Sequence, residues 1–475
     1  MRLVLSRVLI LLPILILAAC RSPKSQLSKL EVELPGLYST TSRTNLVEGW
    51  LETFGDERLM ELIKEAQDHN HDLQAAGARL LASHAQTRIA GAGQLPTLSG
   101  RASTARNKRN AASGFRIASS RNDQIDLGLT FAWELDLWGK LANRTSAATA
   151  EFQAVEADLR NAKLSLAANT AKAWFNAVES ELQLRLAART TRSFEENLEV
   201  VEQEFQRGIR EALDLRLTRA NAASAKASLE SRRRQRDASA RQLEVLLGTY
   251  PANLVNVTTN LPTIEADVPT GIPSDLLYRR PDIVAAERRA AAAMERFKIS
   301  RKDMLPTVSI STTGGTSTSQ LKDIFDLRQN VWSLAANATQ PFFQGGRLRA
   351  ARKQAEANYL ALLQDFNQTA LEAFQDVETT LAAEAYLKGQ EAALAISSTE
   401  SGEAESIAWS QYRRGLVDII TVLEAQRRSV SAQSALITIR NQRLQNRVDL
   451  HLALAGDFES PAVDLAGKEP EQKQP

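Results

Sequence analysis

The feature that most limits what this chain can fold into is an internal repeat built around one very long helical run. Lys140 to Arg207 spans 68 residues with neither glycine nor proline, and it is bracketed by Gly139 and Gly208. An equally long interval, Arg347 to Arg414, lies between Gly346 and Gly415, and both pairs of glycines stand 207 residues apart. Gly248 and Gly456 continue the match at 208, and the "LPT" at Leu95 and Leu305 at 210. Phe194, Leu198, Val201 and Phe205 recur at helical spacing, as do Phe366, Ala370, Phe374, Val377 and Leu381. At roughly 1.5 Å per residue such a helix runs about 100 Å, far beyond a globular one.

Each long run ends at a glycine suited to a left-handed cap, after which the chain turns back into a shorter helix, Arg210 to Leu247 or Leu416 to Ala455. The return helices cover little more than half of the outgoing length. Two further helical segments, Asp72 to Gln94 and Asp282 to Leu305, supply the remainder. The expected organisation is a first repeat over residues 72–248, a proline-bearing linker over 249–281, and a second repeat over 282–456.

Between short and long helix, each repeat changes period. "QIDLGLTFAWEL" places Ile125, Leu127, Leu129, Phe131, Trp133 and Leu135 on one side, and Trp332, Leu334, Ala336, Ala338 and Phe342 occupy the matching parity in the second repeat. Leu98 to Ala105 and Val308 to Gly314 are the expected partner strands, joined through polar loops at Asn107–Asp123 and Gly315–Asn330. Four amphipathic strands cannot close a barrel, and an open sheet edge is not tolerated in lipid, so copies of the chain must pool their strands. Two copies would give a barrel filled by side chains; three would give twelve strands around a channel.

The N-terminus "MRLVLSRVLILLPILILAACRS" has the layout of a secretory signal over residues 1–19, with Cys20, the sole cysteine, at the lipidation position of a bacterial lipobox. The 58 basic residues include Arg2 and Arg7, so loss of the signal leaves 56 against 56 acidic ones and no basic field for nucleic acid. Residues 20–71 then form an anchor and connecting segment, and 457–475 a polar tail. One cysteine and four scattered histidines suggest no metal site, and no phosphate-binding GxxxxGK[ST] occurs. Neither an enzyme nor a cofactor is expected.

Taken together, "WLETFGDERLMELI", "WELDLWGK", "LLYRRPDIVAAE", "QPFFQGGRL" and the paired glycine turns resemble the TolC-like outer membrane factors, in particular the acylated NodT-type efflux lipoproteins. The resemblance implies a mainly α protein with a membrane β-barrel. Four strands per protomer would build a twelve-stranded trimeric barrel, continued by a periplasmic α-barrel of long antiparallel helices. It also implies a periplasmic adaptor, a proton-driven inner-membrane pump and outer membrane lipid as partners. By position, Ile420 and Glu424 match the family's narrowest rings, where three carboxylates would favour cations. Tyr412 and Asp214 match a pair that holds the closed state, Val417 stands where some members have a latch arginine, and Arg207, Gly208, Arg414 and Gly415 match adaptor-contacting tip positions. Taken locally, Glu424 also precedes Arg427 and Arg428 by three and four residues, which would pair with it along the helix. A duct for protein secretion and a lipid-anchored coiled-coil adaptor are the alternative functions.

Overall fold

In a computed structural model, residues 54–113, 116–258, 260–264 and 276–455 are described. The signal segment, Cys20, residues 259 and 265–275 of the 249–281 linker and the 457–475 tail lie outside the described residues. The elements are α1 (Glu57–His69), α2 (His71–Ala92), β1 (Thr97–Ser113), β2 (Arg116–Leu135), α3 (Lys140–Gln206), α4 (Ala212–Leu246), α5 (Pro281–Lys302), β3 (Thr307–Thr318), β4 (Asn330–Thr339), α6 (Arg347–Arg413) and α7 (Ile419–Ala453). The long helices α3 and α6 are 67 residues each, and the return helices α4 and α7 are 35 each. The chain divides into two compact units, each drawing on both repeats.

One unit contains the sheet, antiparallel in the order β1-β2-β3-β4. Its register aligns Leu98 with Phe131, Phe131 with Thr312 and Thr312 with Leu334, and likewise Leu129 with Gly314 and Gly314 with Trp332. The apolar residues of all four strands therefore share one face, and on it Trp332 is 78% and Leu98 68% exposed. On the opposite face Asp126 accepts hydrogen bonds from Ser103 of β1 (3.2 Å) and Ser317 of β3 (2.7 Å), joining three strands by one carboxylate. At the end of the sheet nearest the helices, the Trp133 indole donates to the Gln94 carbonyl (3.0 Å), and Lys302 Nζ donates to the Gly139 carbonyl (3.0 Å) and Asn143 Oδ1 (2.8 Å). These bonds fix how the strands pass into α3.

The strands are longer than alternation alone suggests. β1 and β2 pair from Thr97–Ala132 out to Ser113–Arg116, so most of the expected loop at Asn107–Asp123 is a paired ribbon, and β3 runs on to Thr318. Polar residues such as Arg106 and Asp123, bonded at 2.6 Å, break the apolar alternation while leaving the backbone ladder intact. Phe342, expected at the end of the fourth strand, lies beyond β4.

The second unit is built from two helix hairpins. α4 returns along α3 through Arg219–Glu202 (2.5 Å), Thr191 to the Ala225 carbonyl (3.1 Å) and Ser180–Ser239 (2.9 Å). α7 returns along α6 through Arg443–Glu391 (2.9 Å), Arg447–Glu384 (3.0 Å) and Asn446 to the Thr380 carbonyl (3.1 Å). A polar seam locks the two hairpins together, since Gln183 donates to the Ser434 carbonyl (3.0 Å), Thr438 to Glu179 (2.8 Å) and Asn441 to Asn176 (2.8 Å), all from α3 to α7. Below it Trp174 and Phe175 are fully buried, and the Trp174 indole donates to Asp56 (2.7 Å), whose other oxygen caps α1 at Leu59 N (3.1 Å).

Gly315 sets the approach of β2 and β3, because a Cβ there would overlap the Leu127 carbonyl oxygen and lie 2.5 Å from Gly128 Cα, whereas one on Gly314 meets nothing within 4 Å. Gly315→Val is expected to abolish stably folded protein, read as rapid loss of full-length chain in limited proteolysis, while Gly314→Val, pointing from the apolar face, keeps it.

Candidate gate at the helix-hairpin turns

Both hairpins turn through the same backbone solution. Gly208 (φ +74) donates to the Phe205 carbonyl (2.9 Å) and Ile209 to the Glu204 carbonyl (2.9 Å); Gly415 (φ +75) donates to the Tyr412 carbonyl (2.9 Å) and Leu416 to the Gln411 carbonyl (3.0 Å). This is the paired arrangement that closes a helix on a left-handed residue, and it satisfies two otherwise orphaned carbonyls. Space does not dictate glycine here, since a Cβ at either position meets nothing within 4 Å; the positive φ does. The aliphatic residue after each glycine, Ile209 or Leu416, is left exposed at the tip, as are Arg207 and Arg414.

Tyr412 is the buried centre of the tip. It is 1% exposed, packs with Val201, Ala408, Ile419 and Val422, and meets Trp409 edge-on at 5.7 Å. The guanidinium of Arg210, on the other hairpin, sits 4.0 Å from the centre of the Tyr412 ring, donates to the Tyr412 carbonyl (3.2 Å) and pairs with Glu204 (2.8 Å). Burial pushes the Tyr412 hydroxyl up to about 12, outweighing the pull of the Arg210 charge. Burial also raises the Asp214 carboxyl, although Arg210 opposes it.

Tyr412 Oη makes no hydrogen bond among the described residues, so the tie between Tyr412 and Asp214 is not a hydrogen bond in this structure. Arg210 bridges the hairpins instead, while Val417 packs partly buried against the apolar cluster. The sequence reading passed over Arg210, yet the repeat offset held the signal: counting 207 on from Arg210 reaches Val417, so the tip cation stands on the first repeat rather than the second.

Ile420, in the first turn of α7, is 55% exposed. Glu424, in the next turn, is clasped by Arg427 through Nε (2.9 Å) and Nη2 (2.7 Å) and by Arg428 through Nε (2.8 Å). Arg428 and then Arg427 hold its carboxyl below the usual carboxylate range. Glu424 is therefore a paired carboxylate, as its local sequence allows, and not the bare one that the ring analogy implies. Among the described residues no group of histidine, cysteine, aspartate and glutamate could hold a metal ion.

A sheet with one exposed apolar face and long helix hairpins with matched turns are features of channel-forming membrane proteins. The model of the family "Outer membrane efflux protein" matches residues 62–249 and 272–456. The pyoverdine export outer membrane protein OpmQ of Pseudomonas putida is 30% identical over 465 residues, covering 96% of this chain and 98% of that protein. Outer membrane protein OprJ of Pseudomonas aeruginosa is 31% identical over 414 residues, with 86% of each chain covered. Among solved structures, the Campylobacter jejuni CmeC outer membrane channel superposes with a TM-score of 0.86 at 25% identity, covering 92% of this chain and 95% of that one. The open state of the Neisseria gonorrhoeae MtrE channel gives 0.79 at 28%, covering 92% and 98%. The chain belongs to the outer membrane efflux protein family. It is an export duct of the outer membrane and works by conduction, with no catalytic role.

Removing the Arg210 bridge leaves the second turn held by the apolar cluster alone, a loss of about 1 kcal/mol for a partly exposed cation–π contact. Arg210→Ala is expected to speed tryptic cleavage after Arg413 and Arg414 severalfold in detergent-solubilised protein, with Arg210→Lys intermediate.

Proposed function

We propose that three copies of this chain close a twelve-stranded barrel and form the exit duct of a small-molecule efflux system, with a periplasmic adaptor and a proton-driven inner-membrane pump. The observation that carries the reading is the state of the sheet: β1 and β4 are its edge strands, and its apolar face is uncovered by the rest of the protomer. Pairing β1 of one copy with β4 of the next would remove every edge at once, which lipid demands. Three copies would leave an open lumen where two would be filled. The alternative of a coiled-coil adaptor gives no reason to display Trp332, Leu334 and Leu98 on one exposed strand face.

In this reading Ile420 and Glu424 line the closed aperture, and Tyr412, Asp214 and Arg210 hold it. Arg207, Gly208, Arg414 and Gly415 meet the adaptor, a role supported by the exposed aliphatic residues Ile209 and Leu416 beside them. Cys20 would carry acyl chains, with residues 20–71 leading from that anchor and 249–281 joining the repeats. Similar relatives include the solvent efflux pump outer membrane protein SrpC and the antibiotic efflux pump outer membrane protein ArpC, both of Pseudomonas putida, which favours small-molecule cargo over polypeptides.

Purified protein is expected to migrate as a heat-sensitive trimer in mild detergent and to form channels in planar bilayers. A soluble monomer in the absence of detergent would overturn the proposal. Ile420→Ala should raise the resting conductance.

A further inference from the structure

We propose that the aperture is lined by a net positive stripe and favours anionic solutes bearing carboxylate or phosphate groups. The inference rests on the reading of Ile420 and Glu424 as lumen-facing, and goes beyond it by assigning the charge class of what passes.

On a helix of 3.6 residues per turn, Arg427 lies within about 20° of the direction of Ile420, Glu424 within about 40° and Arg428 within about 80°. All four therefore share a face, and the two arginine side chains remain 73% and 72% exposed after pairing with Glu424. One carboxylate against two guanidiniums leaves one positive charge per protomer on that face. Asp418 does not cancel it. It lies about 160° away around the helix, where its carboxylate caps α7 by accepting from Thr421 N (2.8 Å) and Thr421 Oγ1 (2.6 Å). Arg413 and Arg414 add two exposed cations at the adjoining turn.

The Glu424 clasp is peculiar to the second repeat, while the first carries on the corresponding face a single exposed arginine, Arg216, about 60° around the helix from Leu213. Counting back 207 residues, Ile420 corresponds to Leu213, equally exposed, but Glu424, Arg427 and Arg428 correspond to Leu217, Ala220 and Asn221. The exposed aliphatic residue is thus common to both hairpins, and the pair of arginines around a glutamate belongs to one. Where three such stripes converge within a Debye length of about 8 Å, their fields add instead of being screened apart, and rings of arginine favour anions.

The test is the reversal potential of the full-length protein in a planar bilayer under a potassium chloride gradient. The wild type is expected to reverse on the chloride-selective side. The double variant Arg427→Gln, Arg428→Gln should lower the chloride-to-potassium permeability ratio severalfold while still forming heat-sensitive trimers. Glu424→Gln raises the ratio whether or not Glu424 is paired, so the arginine pair is the discriminating change. A conducting wild type that selects potassium, or a ratio untouched by the double variant, would overturn the inference and leave the duct standing. Failure of every form to conduct would remove both.

Discussion

Backbone hydrogen bonding in a solvent that offers none is the constraint on which the rest depends. A strand edge in lipid leaves each amide and carbonyl unmatched at a cost of several kcal/mol. Four strands satisfy one another internally and leave two edges, β1 and β4. The sheet is therefore stable only as part of something larger, and the same logic reaches the helices. Each repeat contributes two strands and one hairpin, so any closure of the sheet by further copies adds equal numbers of the two hairpins.

The two repeats share a backbone and differ in chemistry. Their turns have the same φ to within a degree, +74 and +75, and the same pair of capping hydrogen bonds. Exposed aliphatic residues sit at equivalent places, Ile209 with Leu416 and Leu213 with Ile420. Charge is where they part. Arg210 has no cationic counterpart in the second hairpin, and the Glu424 clasp has none in the first.

Much of this was legible in the residues because glycine and proline punctuate helices so strongly. Gly139, Gly208, Gly346 and Gly415 marked the ends of α3 and α6 to within a residue or two, and parity placed Leu129, Phe131, Trp332 and Leu334 on one face. Strand length was less legible. Beyond Ala105 the ribbon carries Arg106, Asn107 and Lys108, and polar residues that pair across strands look the same in sequence as a loop. The seam between α3 and α7 was invisible for a related reason. Asn176, Gln183 and Asn441 read as solvated positions on long helices, and only the fold shows that Gln183 is 4% and Asn441 3% exposed. Arg210 was missed because its partner Tyr412 is 202 residues away and no local pattern joins them.

A gate of the kind proposed must be held by interactions that are individually modest, or no adaptor could release it. The apolar cluster around Tyr412 is assembled wholly within one protomer and is worth several kcal/mol by burial. The Arg210 bridge adds about 1 kcal/mol, and exposed ion pairs such as Glu424 with Arg427 contribute less still in water. The ordering has a structural consequence. Val201 of α3 and Leu215 of α4 share the cluster with residues of α6 and α7, so sliding one hairpin past the other would forfeit part of the large term, whereas moving both hairpins together as one body would forfeit none of it. The polar seam favours the same route, because Gln183 donating to the Ser434 carbonyl and Thr438 donating to Glu179 also tie α3 to α7.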